Sequence, residues 1–150
     1  MTEGTSRAVI LIRLLVGWVF VVEGILKFLW ASELGAGRFA NIGIPSPAMM
    51  GPIVGAVEII CGALIVIGLW TRLEALILLI NISVAIISTK IPILLGHGYW
   101  RFTLPQVKHY GLLSMLHESR TDFSMVLGLL FLLIVGGGSW SVDARRRRSP

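Results

Sequence analysis

Two acids and two bases, Glu23, Glu58, Lys27 and Lys90, stand inside runs of otherwise apolar residues. A carboxyl group in such a setting can exchange a proton or hydrogen-bond a ligand, and an ammonium group can hold negative charge on a bound molecule. Asn81 adds a neutral donor and acceptor in a third run. A polar connecting stretch contributes His109, His117, Arg120 and Asp122. Histidines there suit proton exchange near neutral pH. On a helix, His109 and His117 would point about 80° apart and flank one surface. No HxxxH or HExxH spacing occurs, so no metal site is expected. No apolar run contains a histidine that would ligate a haem from within.

The elements that must position these groups follow from composition. The chain is 55% hydrophobic and 14% charged, with a mean hydropathy of +0.86. Soluble domains carry about 25% charged residues, so lipid is the expected solvent. Apolar segments run over about residues 8–30, 48–69, 73–95 and 123–140. A crossing needs roughly 20 residues; the last segment, at roughly 27 Å by helical rise, is just sufficient. Only helices satisfy their own backbone groups in hydrocarbon. The sequence therefore predicts one all-α membrane domain over residues 1–150, a bundle of four transmembrane helices. Trp70–Thr71–Arg72 makes a tight hairpin, whereas residues 31–47 and 96–122 are longer connections. Val107, Tyr110, Leu113 and Leu116 recur at helical spacing, predicting a short interfacial helix in the loop between helices 3 and 4.

The net charge of +5 does not point to nucleic acid, because the basic residues form no folded stripe. Four of them, Arg145–Arg148, close a basic tail over 143–150. With an even number of crossings, Arg7, Arg72 and this tail share one side, against Arg38, Arg101, Lys108 and Arg120 on the other. The tail weighs most, which places both termini in the cytoplasm and the histidine loop outside. Arg13, Glu23 and Lys27 interrupt the first segment, so it is read as a retained span and not as a cleaved signal. Cys61 is the single cysteine; it is expected to act as a small buried hydrophobe, without disulfide or CxxC chemistry.

Ionisable groups near the membrane centre cost about 2.5–3.5 kcal/mol each on insertion scales. Glu58 falls near the middle of the second segment, with Glu23, Lys27 and Lys90 in the outer half. Gly51, Gly55, Glu58 and Gly62 form one stripe on the second helix, and Arg13, Gly17, Gly24 and Lys27 form another on the first. Small residues let membrane helices approach closely, so Glu58 is expected to face the bundle interior. Asn81 and Ser88, one heptad apart, add a polar face on the third helix. The result is a buried polar cluster beneath the outer loop. Glu23 and Lys27, at i and i+4, form a favourable pair, and Glu58 has no partner nearby in sequence. Lys27, Lys90 and Arg13 can alternatively reach the headgroups by snorkelling.

Taken in order, these motifs resemble the DoxX family of small four-span membrane proteins. The resemblance rests on Arg13, Gly17, Glu23, Gly24 and Lys27, then on Gly55, Glu58, Gly62 and Gly68, and finally on the close Gly136-Gly137-Gly138-Ser139-Trp140-Ser141-Val142-Asp143. It implies a four-helix bundle in the bacterial inner membrane and a link to redox metabolism, since the related DoxD proteins are subunits of thiosulfate:quinone oxidoreductase. The sequence shows no flavin, haem or dithiol motif, so electrons must be carried by a partner subunit or by the quinone.

The leading expectation is a membrane subunit or anchor of a quinone-linked complex, itself at most quinone-reactive, with no covalently bound cofactor. Glu58 and Glu23 would handle protons, and Lys27 and Lys90 would stabilise anionic charge on the ligand. Asn81, His109 and His117 are further candidate ligand-binding residues, while Arg120 and Asp122 would fix the loop over the site. Lipid and a redox partner or further copies of the chain are the expected partners. Two other readings use the same residues: a small-molecule or ion transporter working through Glu58, and an assembly factor whose essential positions are glycines.

Overall fold

The computed structural model describes residues 3–146, with side chains from Ser6 onward; Arg147 and Arg148 of the basic tail lie outside the described residues. The chain forms α1 (Glu3–Leu29), α2 (Ala36–Asn41), α3 (Pro47–Ile67), α4 (Thr71–Ala85), α5 (Ile91–Leu95), α6 (Leu112–Glu118), α7 (Arg120–Val135) and α8 (Val142–Arg146). A π turn, Ile86–Lys90, joins α4 to α5. Among the described residues the one sheet-like feature is an isolated bridge between Tyr99 and Phe102. Among the described residues, three helical stretches are long and apolar enough to cross a membrane: Ser6–Leu29, Pro47–Ile67 and Thr71–Leu95.

The polarity of the surface identifies the solvent. Trp18, Ile60, Ile80 and Ile134 are 59–73% exposed on the perimeter, while Arg13, Glu58 and Glu74 are at most 5% exposed inside. Water would penalise that distribution on both counts, and lipid accommodates the apolar rim. The core between the helices is also apolar, built from Val9, Val16, Phe20, Ile65, Leu78, Leu129 and Leu132 among others.

Helices α1 and α3 run antiparallel and touch through their glycines. A methyl group added to Gly17 would lie 2.6 Å from the Gly62 carbonyl oxygen, and one added to Gly24 would lie 2.6 Å from the Gly55 carbonyl oxygen. The contacts are reciprocal: at Gly62 the added carbon would meet the Gly17 oxygen at 2.9 Å. Gly51 instead faces α2, where its added carbon would meet the Ala36 nitrogen at 2.7 Å. Since the obstacles are backbone atoms, they cannot rotate away. Gly24→Val is therefore expected to destabilise the protein by about 2–3 kcal/mol, the upper end for overpacking. Ala63→Val, on the exposed face of α3, is expected to be neutral. Thermal unfolding in detergent checks this, and equal effects at the two positions would refute the glycine seam.

The third apolar segment departs from the continuous helix its composition predicts. Pro92 lacks an N–H, and its ring would crowd the carbonyl four residues earlier, that of Ser88. The wider π turn over Ile86–Lys90 accommodates this. The Thr89 hydroxyl donates to the Ala85 carbonyl at 2.7 Å within it. The fourth segment also differs from expectation: α7 begins at Arg120 and stops at Val135, because Gly136 takes a positive φ of 82°. Residues 136–141 then form an irregular close. The predicted helix in the long connection starts only at Leu112, after Gly111 at φ 102°, so Val107 and Tyr110 lie outside it.

That irregular close knots the end of the bundle that carries the first turns of α1 and α8. Asp143 accepts from the Trp70 and Thr71 N–H groups at 2.8 and 3.0 Å and from the Thr71 hydroxyl at 3.0 Å. It thus caps the start of α4 from a distant part of the chain. Removing a capping carboxylate costs about 1–2 kcal/mol, so Asp143→Ala is expected to lower stability by that amount, with Asp143→Asn recovering part. An unfolding midpoint unchanged in Asp143→Ala would refute the capping role.

Candidate functional site

At the opposite end, polar side chains from three helices meet. The Glu58 carboxylate, 5% exposed on α3, accepts from the Lys27 ammonium of α1 at 2.6 Å and from the Asn81 amide of α4 at 2.8 Å. The glycine seam places Lys27 there, since Gly24 and Gly55 bring the α1 and α3 backbones together one turn from each residue. Glu23 stands 3.9 Å from the same ammonium. The pairing expected from sequence, Glu23 with Lys27, is therefore secondary. Glu58, which lacks a partner nearby in sequence, has the closer one across 31 positions. Helical spacing along one chain segment carries no information about that contact.

A second pair closes the same region. Lys90, carried by the π turn, lies 3.3 Å from the Asp122 carboxylate and donates to the Glu118 carbonyl at 2.7 Å. It does not snorkel outward. The two pairs border a cavity of about 320 Å³, walled by apolar side chains including Phe20, Phe39, Ile42 and Met125. Glu23, Lys27, Arg38, Glu58, Asn81, Ser88, Lys90 and Asp122 also line it. Ligand pockets start at roughly 300 Å³ and combine apolar walls with a few convergent polar groups; this cavity has that form. It can seat a flat apolar body and offer acids and paired ammonium groups to its polar end.

Other sequence-predicted residues lie elsewhere. His109 precedes α6 and His117 lies on it, so they do not share a helix. They line a separate open groove with Lys108, Tyr110 and Glu118. Arg120 is exposed at the start of α7. Among the described residues no group of three or more potential ligands is placed to hold a metal ion.

Three features escape the spacing argument. Arg13 is 2% exposed and donates to backbone carbonyls of Ile65, Val66, Gly137 and Trp140; it locks the knot at the terminal end and does not reach the headgroups. Glu74 is 4% exposed in the first turn of α4, where the helix dipole favours a carboxylate; an acid inside an apolar run was its signal. Arg38 lines the cavity from α2, a helix too short for periodicity to reveal.

The DoxX family model matches residues 8–91, which include Glu23, Lys27, Glu58, Asn81 and Lys90. The chain is 47% identical over 138 residues to "Uncharacterized membrane protein Rv3486" of Mycobacterium tuberculosis, across 92% of this chain and 80% of that protein. It is 32% identical over 91 residues to "Putative oxidoreductase CatD" of Bacillus subtilis, across 61% of this chain and 66% of that protein. No solved structure matches the chain.

Proposed function

We propose a function from one premise: the chain belongs to the DoxX family. It acts as a multi-pass protein of the bacterial inner membrane, serving as membrane subunit or anchor of a quinone-linked redox complex. In this reading α7 and the glycine-rich close make a fourth crossing. At 16 residues, α7 spans roughly 24 Å, and the knot around Arg13 satisfies the backbone groups that follow it. Both termini face the cytoplasm beside the basic tail, and α6 lies on the outer surface.

The observation that carries the proposal is the Lys27–Glu58–Asn81 cluster, one residue from each of the three candidate spans, on the wall of a cavity with both apolar and polar lining. A quinone head fits this chemistry, because its ring needs apolar walls and its oxygens need hydrogen-bond partners. When bound, it supplies two-electron, two-proton redox chemistry, with electrons exchanged through a redox partner. Glu58 and Glu23 exchange protons with the ligand oxygens, and Lys27 holds Glu58 in place. Asn81 donates to Glu58 and fixes its orientation. The printed name of the Bacillus subtilis relative, an oxidoreductase, is in keeping with this reading.

Purification from native membranes, with identification of bound cofactors and proteins, tests the proposal. Bound quinone and a redox subunit are expected with the wild type, and Glu58→Gln is expected to retain less than about a tenth of the quinone, the loss of one hydrogen bond to a charged group. A preparation holding neither, or a Glu58→Gln variant identical to wild type, would overturn it.

A further inference from the structure

The two lysines that line the cavity are already engaged. Lys27 lies 2.6 Å from Glu58, and Lys90 lies 3.3 Å from Asp122. Neither is free to neutralise a ligand, which removes the role that spacing alone assigns to them. The remaining cation on the cavity wall is Arg38, and among the described residues no hydrogen bond or ion pair engages its side chain. Arg38 is exposed and lines the cavity, so it is open to a ligand there.

The element that carries Arg38 is positioned and not a loose loop. Gly35, before α2, sits so close to α1 that an added carbon would run into the Lys27 carbonyl oxygen. Gly51 of α3 meets the first turn of α2 in the same way, 2.7 Å from the Ala36 nitrogen. Past the helix, Gly43 takes φ +85° against the Arg101 carbonyl, and the Thr103 N–H donates to the Ile42 carbonyl at 3.3 Å. Phe39 and Ile42, next to Arg38, are themselves cavity wall. The seat of α2 therefore sets both an apolar wall and a cation at one edge of the cavity.

We propose that Arg38 is the anion-recognising residue of this cavity, selecting ligands with an aromatic or similarly flat apolar body and a negatively charged oxygen. The assignment rests on the reading of the cavity as a ligand site and extends it from a neutral quinone head to an ionised one. A guanidinium is always charged, and its planar fork matches a carboxylate or two neighbouring ring oxygens.

Three probes of similar size separate the components: 2-methyl-1,4-naphthoquinone, which is neutral; 2-hydroxy-1,4-naphthoquinone, which is ionised at neutral pH; and 1-naphthoate, an anion without quinone chemistry. Equilibrium binding is measured in lipid nanodiscs, with empty discs subtracted. Wild type is expected to bind the two anions about fivefold tighter than the methyl quinone, the upper range for one solvent-exposed charge pair. Arg38→Gln is expected to remove that advantage and leave methyl-quinone binding within about twofold of wild type, while Arg38→Lys recovers it in part. Binding of both naphthoquinones without preference for the anion, or equal loss of all probes in Arg38→Gln, overturns the role of Arg38 and leaves the quinone reading standing. Binding of the two anions alone, lost in Arg38→Gln, upholds Arg38 and overturns the quinone reading. No binding of any probe overturns both.

Discussion

Replacing Arg13 with methionine is expected to abolish accumulation of folded protein, and replacing it with lysine to lower the melting temperature by about 6 °C or more. The reason lies in what Arg13 satisfies. The last carbonyls of a helix lack the partners that its interior carbonyls have, and two of those on α3, from Ile65 and Val66, accept from the Arg13 guanidinium; the Ile65 carbonyl also accepts from the Gly68 N–H at 3.1 Å. The same group donates to Gly137 and Trp140 in the close that follows α7, at 3.1 and 2.7 Å. One side chain thus joins α1, α3 and the segment leading to α8. A buried acceptor left without a donor costs about 1–3 kcal/mol, so stranding the Val66, Gly137 and Trp140 carbonyls exceeds about 3 kcal/mol. That is a large share of the roughly 5–15 kcal/mol that holds a typical fold together. Lysine keeps the charge, which still favours the C-terminal end of α3, but its single ammonium cannot reach carbonyls on opposite sides as the five-donor fork does. Thermal unfolding of detergent-solubilised protein, with yield by size-exclusion chromatography, measures both effects. A lysine variant as stable as wild type would show that the four contacts contribute little.

The second large effect concerns the pair across α1 and α3, and its direction is asymmetric. Lys27→Met leaves Glu58 buried with no cation beside it and Glu23 close by, and breaking a buried pair in this way costs about 3–5 kcal/mol. Glu58→Leu costs less, because Lys27 can turn toward Glu23, already 3.9 Å away on the same helix. The double variant is expected to be more stable than Lys27→Met alone by about 1–3 kcal/mol, since no uncompensated charge remains inside the bundle. A double-mutant cycle in detergent or nanodiscs reads this directly. Additive losses would mean that the 2.6 Å contact carries no coupling. Asn81→Leu, which removes the second donor to Glu58, is expected to cost about 1–3 kcal/mol by the same measurement.

The membrane character, the three long helices and the polar groups within them were legible from the sequence, because each depends on composition and periodicity along a single segment. The glycine stripes were legible for the same reason: Gly17 and Gly24 lie seven residues apart, as do Gly55 and Gly62, and each pair falls on one helix face. Element boundaries were less so. Gly136 and Gly111 end and begin helices through positive φ angles, and the effect of Pro92 depends on whether its helix can widen into a π turn.

What the sequence determined by itself was the solvent of this protein and which side chains would be costly to place in it, since transfer into lipid is a property of each residue type. Only the tertiary structure decided how those costs are met: Lys27 with Glu58 and not mainly with Glu23, Lys90 with Asp122, and Arg13 with carbonyls more than fifty and more than a hundred positions away. Pairing inside a bundle follows the distance between atoms of different helices. Helix crossings and loop seating fix that distance, and spacing along one segment does not encode it.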